Sequence, residues 1–281
     1  MFYLSLSGYS ALTVDVEDWY HVCGIDQPVV PDRCTWRVAH NIKAILTLLE
    51  QYQCKATFFM LGAVAEAMPE LAPMIVANGH EIASHGYSHT LLTDMSKQQF
   101  LDELQRTEQV LVDQTGKHPV GYRAPQWSVS DKTPWVDQLL VEHGYLYDSS
   151  RNPLPFVGDP SAPRYPYRID TPSGALWEIP PLVTKMGLVS LPTGGGWGFR
   201  LFPLRLIKAT IKAYLRDAAP AVLYLHPREI DPTGPRLQLP LCKGFLSYGT
   251  RMDATPRLSD LLQCFCFTTL EEMVRQWQPA S

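Results

Sequence analysis

Short apolar runs alternate with amphipathic stretches along most of the chain. Residues 11–16 (ALTVDV) read as a strand, after which Val38, Ile42, Ile45, Leu46 and Leu49 recur at helical spacing. Residues 56–61 (ATFFML), uncharged and rich in β-formers, predict a second strand, and residues 81–84 a third. Between these two, Pro69 opens a short helix that Gly79 can close. Ser96 with Gln99 makes a capping-box signature, and the helix it opens runs to about Gly116. Farther along, 120–123, 145–148, 222–225 and 265–268 read as strands, and 134–143, 204–215 and 270–277 as helices. Repeated strand–helix units predict an α/β fold, a parallel sheet, open or closed into a barrel, with helices outside. Residues 150–198 and 227–256, rich in Pro and Gly, break this rhythm and read as long loops. Loops of that length are more often functional than idle, and they can wall a site.

Composition narrows the classes. At about 150 residues per domain, 281 residues make one large domain or two small ones. Hydrophobic residues at 46% against 19% charged exclude disorder and allow a substantial core. The net charge of −4 offers no basic face, so no nucleic-acid partner is expected. No apolar run approaches the roughly 20 residues of a membrane helix, so no membrane span is expected. The six cysteines form neither a dense disulfide framework nor a CxxC pattern, and suit reduced, mostly buried thiols. The first ten residues (MFYLSLSGYS) lack the basic and long apolar regions of a secretory signal. Together with the cysteine usage this gives a cytoplasmic expectation, the alternative being a signal already removed.

Polar residues stand repeatedly at the C-terminal ends of the predicted strands. Asp15 and Glu17 end the first, His85 the third, Arg123 the fourth, Asp148 another, and His226 follows Leu223-Tyr224-Leu225. In a barrel of parallel strands these ends share one mouth, where chemistry is built. Asp15 and Glu17, two apart, point to one face of an extended strand. Two like charges at a buried strand end need a cation or a positive partner; a solvated edge is the plainer alternative. Asp18 points the other way unless the strand end bulges. His85 and His89 form HxxxH, which can offer two imidazoles to one cation on a single helical turn; alone, two surface histidines would be the default. With a carboxylate they make a His₂–carboxylate set that leaves coordination positions open. Arg123 can hold a carboxylate in one orientation, or serve in an ordinary salt bridge. Trp19, Tyr20, Trp127 and Trp197 can stack on pyranose rings or simply pack. The run Gly194-Gly195-Gly196 permits close backbone approach but lacks the Lys-Ser/Thr of a phosphate loop, so nucleotide binding is rejected.

The segments ATFFMLG, GHEIASHGYSH, GYRAPQW and LYLHP occur in the order and at about the spacings of one family. Over residues 11–226 the chain resembles the polysaccharide deacetylases with a NodB homology domain, carbohydrate esterases of family four. LYLHPREID and the Arg257-Leu258-Ser259 region resemble the exosortase-associated branch linked to exopolysaccharide gene clusters. The resemblance implies a distorted (β/α) barrel over residues 1–226, with 227–281 as an extension completing or capping the same domain. It implies Asp15 as catalytic base, Arg123 as its orienting arginine, His226 as general acid, and His85 and His89 as metal ligands. The first motif reads Asp15-Val16-Glu17-Asp18 where many members have two adjacent aspartates, which favours Glu17 as third metal ligand and leaves Asp18 as the alternative. Trp127 would line the mouth, with Trp19, Tyr87 and Trp197 as further substrate contacts. The implied activity is hydrolysis of N-acetyl groups on amino sugars of a polysaccharide or its precursor, releasing acetate, with one divalent metal ion: zinc, or else cobalt or nickel. A backbone N–H near Tyr87 or Ser88 would help hold the oxyanion. The alternatives are a cyclic-amide hydrolase of the same fold, as allantoinases are, and a non-catalytic glycan-binding protein.

Overall fold

The computed structural model describes residues 8–23, 25, 31–155, 157–187 and 189–276. The start of the predicted barrel domain (1–7), Trp277 of the last predicted helix and the end of the extension lie outside them. In chain order the elements are β1 (Tyr9–Val16), α1 (Val38–Gln51), β2 (Thr57–Met60), α2 (Gly62–Ala67), α3 (Leu71–Ala77), β3 (Glu81–Ser84), α4 (Lys97–Thr115), β4 (Gly121–Tyr122), α5 (Val136–Glu142) and β5 (Tyr147–Asp148). Two hairpins follow, β6 (Tyr167–Thr171) with β7 (Gly174–Glu178) and β8 (Thr184–Met186) with β9 (Val189–Leu191). The chain continues through α6 (Gly196–Leu201), α7 (Leu204–Arg216), β10 (Val222–Leu225), α8 (Leu241–Tyr248), α9 (Thr255–Cys264), β11 (Cys266–Thr268) and α10 (Leu270–Gln276).

The main sheet runs β10-β1-β2-β3-β4-β5-β7-β6, parallel throughout except for the β6–β7 hairpin, and β11 pairs with the start of β1. Past β7 the Ile179 N–H still bonds Asp148 on β5, and three residues later the Leu182 N–H bonds Val222 on β10. That short crossing curls the sheet into a distorted barrel. Alternation along β1 explains its apolar composition. Leu12, Val14 and Val16 face the outer helices and join Ile42, Ile45 and Leu49 of α1 in the largest core, while Ala11 joins Phe59, Ala83, Tyr147, Ile179 and Val222 in a second cluster inside. This inner plug makes the barrel a cup, with the polar residues of the strand ends above it.

Helix α4 shows the full reciprocal capping box at Ser96 and Gln99, and ends at Gly116 in the left-handed conformation. Residues 150–198 are not the unstructured loop the composition predicts. They hold both hairpins, whose short strands are punctuated too densely by Pro and Gly for periodicity to register. Likewise α8 and the start of α9 arise within 227–256, and the sequence pattern missed α2 altogether. The chain after His226 is woven into the barrel: β11 pairs with β1, and Leu258, Leu261, Leu262 and Phe267 enter the largest core. The expectation of mostly buried cysteines fails. All six are free thiols, but only Cys54 is buried, whereas Cys34, Cys242, Cys264 and Cys266 are exposed on turns and element ends. Among the described residues no helix is long and apolar enough to cross a membrane.

Candidate active site

A cleft with about 1000 Å³ of unfilled space opens at the C-terminal ends of the strands, lined among others by Asp15, Glu17, Arg123, Trp127, Trp197 and His226. At its floor Glu17 Oε1 stands 3.1 Å from His85 Nε2 and 2.8 Å from His89 Nε2. The outer nitrogens of both rings are occupied. His85 Nδ1 lies 2.7 Å from the Arg123 carbonyl, so it carries the proton and leaves Nε2 a lone pair. His89 Nδ1 lies 3.4 Å from Cys23 Sγ. Two imidazoles and one carboxylate oxygen, all nearly sealed from solvent, are the donor set that a catalytic divalent cation uses. Donors of a tetrahedral ion stand about 3.3 Å apart, so Glu17 Oε1 need draw back from each imidazole by only a few tenths of an ångström to share an ion with it. The residues fit a metal. Burial works against charge on Glu17, but His89, Arg228 and His226 outweigh it and hold the carboxyl well below its usual range. Burial likewise opposes charge on His89, yet Glu17 draws its pKa up to about 10; a divalent cation would displace that proton.

Beside this triad Asp15 is clamped. Its Oδ1 accepts Arg123 Nη1 at 2.7 Å, and its Oδ2 faces His226 Nε2 at 3.8 Å. Arg123 is itself fixed on every side. Nη1 also reaches Thr13 Oγ1, Nη2 donates to Ser149 Oγ and Nε to the Ser149 carbonyl, while the guanidinium lies 4.1 Å over the Phe59 ring. One residue thereby orients Asp15 through its side chain and His85 through its carbonyl. Across the cleft, His226 Nδ1 pairs with Glu229 Oε1 at 2.7 Å, and the same oxygen accepts the His226 backbone N–H. Nε2 is left pointing at Asp15 and Glu17.

Several expected positions fall elsewhere. Asp18 is not with the ligands: its carboxylate turns away at the strand end to accept the backbone N–H groups of Trp19, Arg37 and Val38, capping α1. The HxxxH spacing does not lie on a helix. His85 follows β3 and His89 sits in the next loop with φ +61°, so a loop brings the two rings together. Trp127 and Trp197 line the cleft, but Trp19 is buried with its indole on the Thr35 carbonyl, and Tyr87 stands outside, bonded to Glu66 beneath Arg106. The Tyr87 and Ser88 N–H groups both donate to Glu103 and are not available to an oxyanion. The glycine run serves packing: a Cβ on Gly195 would come within 2.3 Å of the Tyr224 carbonyl, and one on Gly194 within 2.5 Å of that of Leu182.

Residues 30–147 match the family described as "Polysaccharide deacetylase". That stretch of the chain is similar to polysaccharide deacetylases. Residues 149–275 match a domain of unknown function, DUF3473. The peptidoglycan deacetylase of Helicobacter pylori is 38% identical over 127 residues, 45% of this chain and 42% of that protein; the chitin deacetylase of Amylomyces rouxii is 28% identical over 155 residues, 49% and 36% respectively. The matched segment thus spans less than half of these curated relatives. Among solved structures, one of a Mycobacterium smegmatis protein assigned to the polysaccharide deacetylases overlays 98% of this chain and 94% of its own with TM-score 0.62 at 24% identity. The PuuE allantoinase overlays 98% and 93% with TM-score 0.63 at 18% identity, so the fold is common to both chemistries.

The boundary between the two matched regions falls beside β5, yet the cleft takes side chains from both. Three residues outside the sequence reading complete it. Glu229 orients His226, Arg228 places Nη1 2.7 Å from Glu17 Oε2, and His21 lines the wall. Burial pulls the His21 pKa down to about 3; its Nδ1 accepts the Asp18 N–H, so the neutral ring carries its proton on Nε2. Glu229 was legible as the third residue after a strand-end histidine; Arg228 and His21 have no motif of their own.

Proposed function

We propose that the chain is a metal-dependent hydrolase that removes N-acetyl groups from amino sugars of a polysaccharide or its precursor, releasing acetate. One observation carries this reading: Glu17, His85 and His89 converge within reach of a clamped Asp15 on one side and a Glu229-held His226 on the other. A divalent ion on that triad, zinc or in its place cobalt or nickel, would polarise the amide carbonyl and lower the pKa of water.

The chain's own residues do the rest. Asp15 receives the proton of the attacking water on Oδ2, because Arg123 occupies Oδ1 and keeps the carboxylate aimed at the cleft. His226 delivers a proton from Nε2 to the departing nitrogen, and Glu229 stabilises the imidazolium and fixes the ring's direction. Trp127 and Trp197 offer faces for sugar rings at the cleft wall. The resemblance of LYLHPREID and the Arg257-Leu258-Ser259 region to the exosortase-associated branch supports placing the chain beside exopolysaccharide synthesis.

The test is elemental analysis of protein purified without chelator, beside His85→Ala, followed by acetate assays on N-acetylated glycans. About one divalent ion per chain, lost in the variant, with acetate released by the wild type, is the expected result. No metal after loading with zinc, cobalt or nickel removes the reading, and ring opening of a cyclic amide without acetate release replaces it.

A further inference from the structure

Helix α8 wears its apolar stripe outward. Leu241, Phe245 and Leu246 stand 92%, 40% and 47% exposed, and their spacing keeps them on one side of the helix. The opposite side is the polar one, and its Lys243 and Ser247 line the cleft. An amphipathic helix serving only the fold would lie the other way round. The apolar surface continues beyond α8. Phe245 packs on Trp197 of α6 with ring centroids 5.3 Å apart, Leu201 ends that helix half-exposed, and Met252 follows α8 half-exposed as well. Arg200 ties the two helices together by binding the Tyr248 and Thr250 carbonyls. Five of the seven large apolar side chains that stand exposed among the described residues thus gather here, the other two being Met186 and Val189 of the β8–β9 hairpin.

Charge and area decide what this surface meets. Residues 232–252 hold no Asp or Glu. Arg236 and Arg251 stand at the C-terminal end of α8, bonded to the carbonyls of Gly249, Thr250 and Pro232, and neither pairs with a carboxylate among the described residues. Burial, and then the neighbouring Arg251, Arg200 and Arg228, lower the pKa of Arg236, as crowded cations do. Asp231 and Asp253, which bracket the segment, are turned to Arg37 and to the Thr255 N–H. The exposed apolar side chains offer roughly 500 Å², enough to mark an interaction site but short of the roughly 800 Å² per partner of a stable protein interface. In a two-fold dimer built on this face the arginines would meet the same cationic surface of the other copy. A bilayer with anionic headgroups suits both features, since it takes up Leu and Phe side chains and attracts the arginines beside them.

We propose that the outward face of α8, with Leu201 and Met252 beside it, seats the protein on the surface of a bilayer containing anionic lipid. Trp197 and Leu246 belong to this face and also line the cleft, so the docked chain opens its cleft beside the headgroups, within reach of a glycan carried at the membrane. Docking goes beyond the deacetylase reading, and no readout of its test needs turnover. Co-sedimentation of the full chain is measured with vesicles of phosphatidylcholine alone and of phosphatidylcholine with about one-quarter phosphatidylglycerol.

The wild type should bind the anionic vesicles about tenfold or more tightly than the neutral ones, and the difference should shrink with added salt. Leu241→Ser should weaken binding to both by about tenfold. At 92% exposure that side chain contributes little to the fold, so the loss is not one of folding. Leu241→Phe should keep full binding. Arg251→Gln should cost about fivefold on the anionic vesicles and nothing on the neutral ones. No binding to the anionic vesicles overturns the proposal, and so does binding that Leu241→Ser and Arg251→Gln both leave untouched. A dimer in light scattering that Leu241→Ser separates into monomers overturns it as well, and gives the face to a second copy.

Discussion

Replacing Arg123 by methionine tests how the site is built. The arginine is 1% exposed and its partner Asp15 3%, so neither can turn to water when the other is removed. Arg123→Met leaves a buried carboxylate without its counter-ion, which costs about 3–5 kcal/mol. Thr13 and Ser149 are less affected, since each hydroxyl also bonds a carbonyl, of Leu223 and Ile179. Methionine retains part of the contact over Phe59, so little cavity term adds. Against a domain stability of about 5–15 kcal/mol, the loss is large but survivable. The assay is urea unfolding at pH 7 in EDTA, which removes metal linkage, read by tryptophan fluorescence. Asp15→Asn should then cost less in the methionine background than alone, or stabilise it, giving a coupling of about 1–3 kcal/mol. A loss under about 1 kcal/mol for Arg123→Met, or additive effects of the two substitutions, would refute the claim that this pair is sealed and interdependent.

His226→Ala should lower kcat by about 10²–10⁴-fold with metal content intact, and Glu229→Gln by less, in steady-state acetate assays on any accepted glycan. Asp18→Ala should leave metal content unchanged in elemental analysis while costing about 1–2 kcal/mol in urea unfolding, because its carboxylate caps α1. Glu81, buried at the far end of β3 from the cleft, has its pKa pushed up by burial to about 7, despite bonds from Thr57, Tyr147 and the Glu271 N–H. The folded chain therefore binds a proton there that the unfolded chain has released between about pH 4.5 and 7. Stability contributed by Glu81 falls as pH rises through that window, by on the order of 3 kcal/mol, and Glu81→Gln should flatten the slope in unfolding curves taken from pH 5 to 8.

How much of this was readable beforehand depended on the kind of signal. The parallel strands and α4 announced themselves because each carries its own periodicity or cap, as Ser96 with Gln99 does. The strand-end polar residues were readable because parallel topology sends every C-terminal end to one mouth. Convergence was not. Whether Glu17 or Asp18 faced the histidines depended on how the chain turns after Val16, and that turn is decided by the start of α1 needing a cap 20 residues away. Trp19 and Tyr87 looked like glycan platforms, since an aromatic side chain is equally apt for packing and for stacking. Arg228 was invisible because its partner, Glu17, lies 211 residues distant and no local pattern marks the pair.

The pairing of the final strand with the first has a bearing on how the molecule comes into being. A ribosome delivers β1, β2 and β3 early, and with them Glu17 and both histidines. The edge of β1 that β11 covers stays open until Cys266 has been made, and the neighbour on its other edge, β10, appears only at Val222. Closing contacts across more than 200 residues is slow, and an uncovered parallel edge invites wrong partners meanwhile. The nascent chain can present Glu17, His85 and His89 well before it has His226. An ion captured at that stage would pin β1 against the β3 loop and hold the half-built barrel in register while the remainder is synthesised.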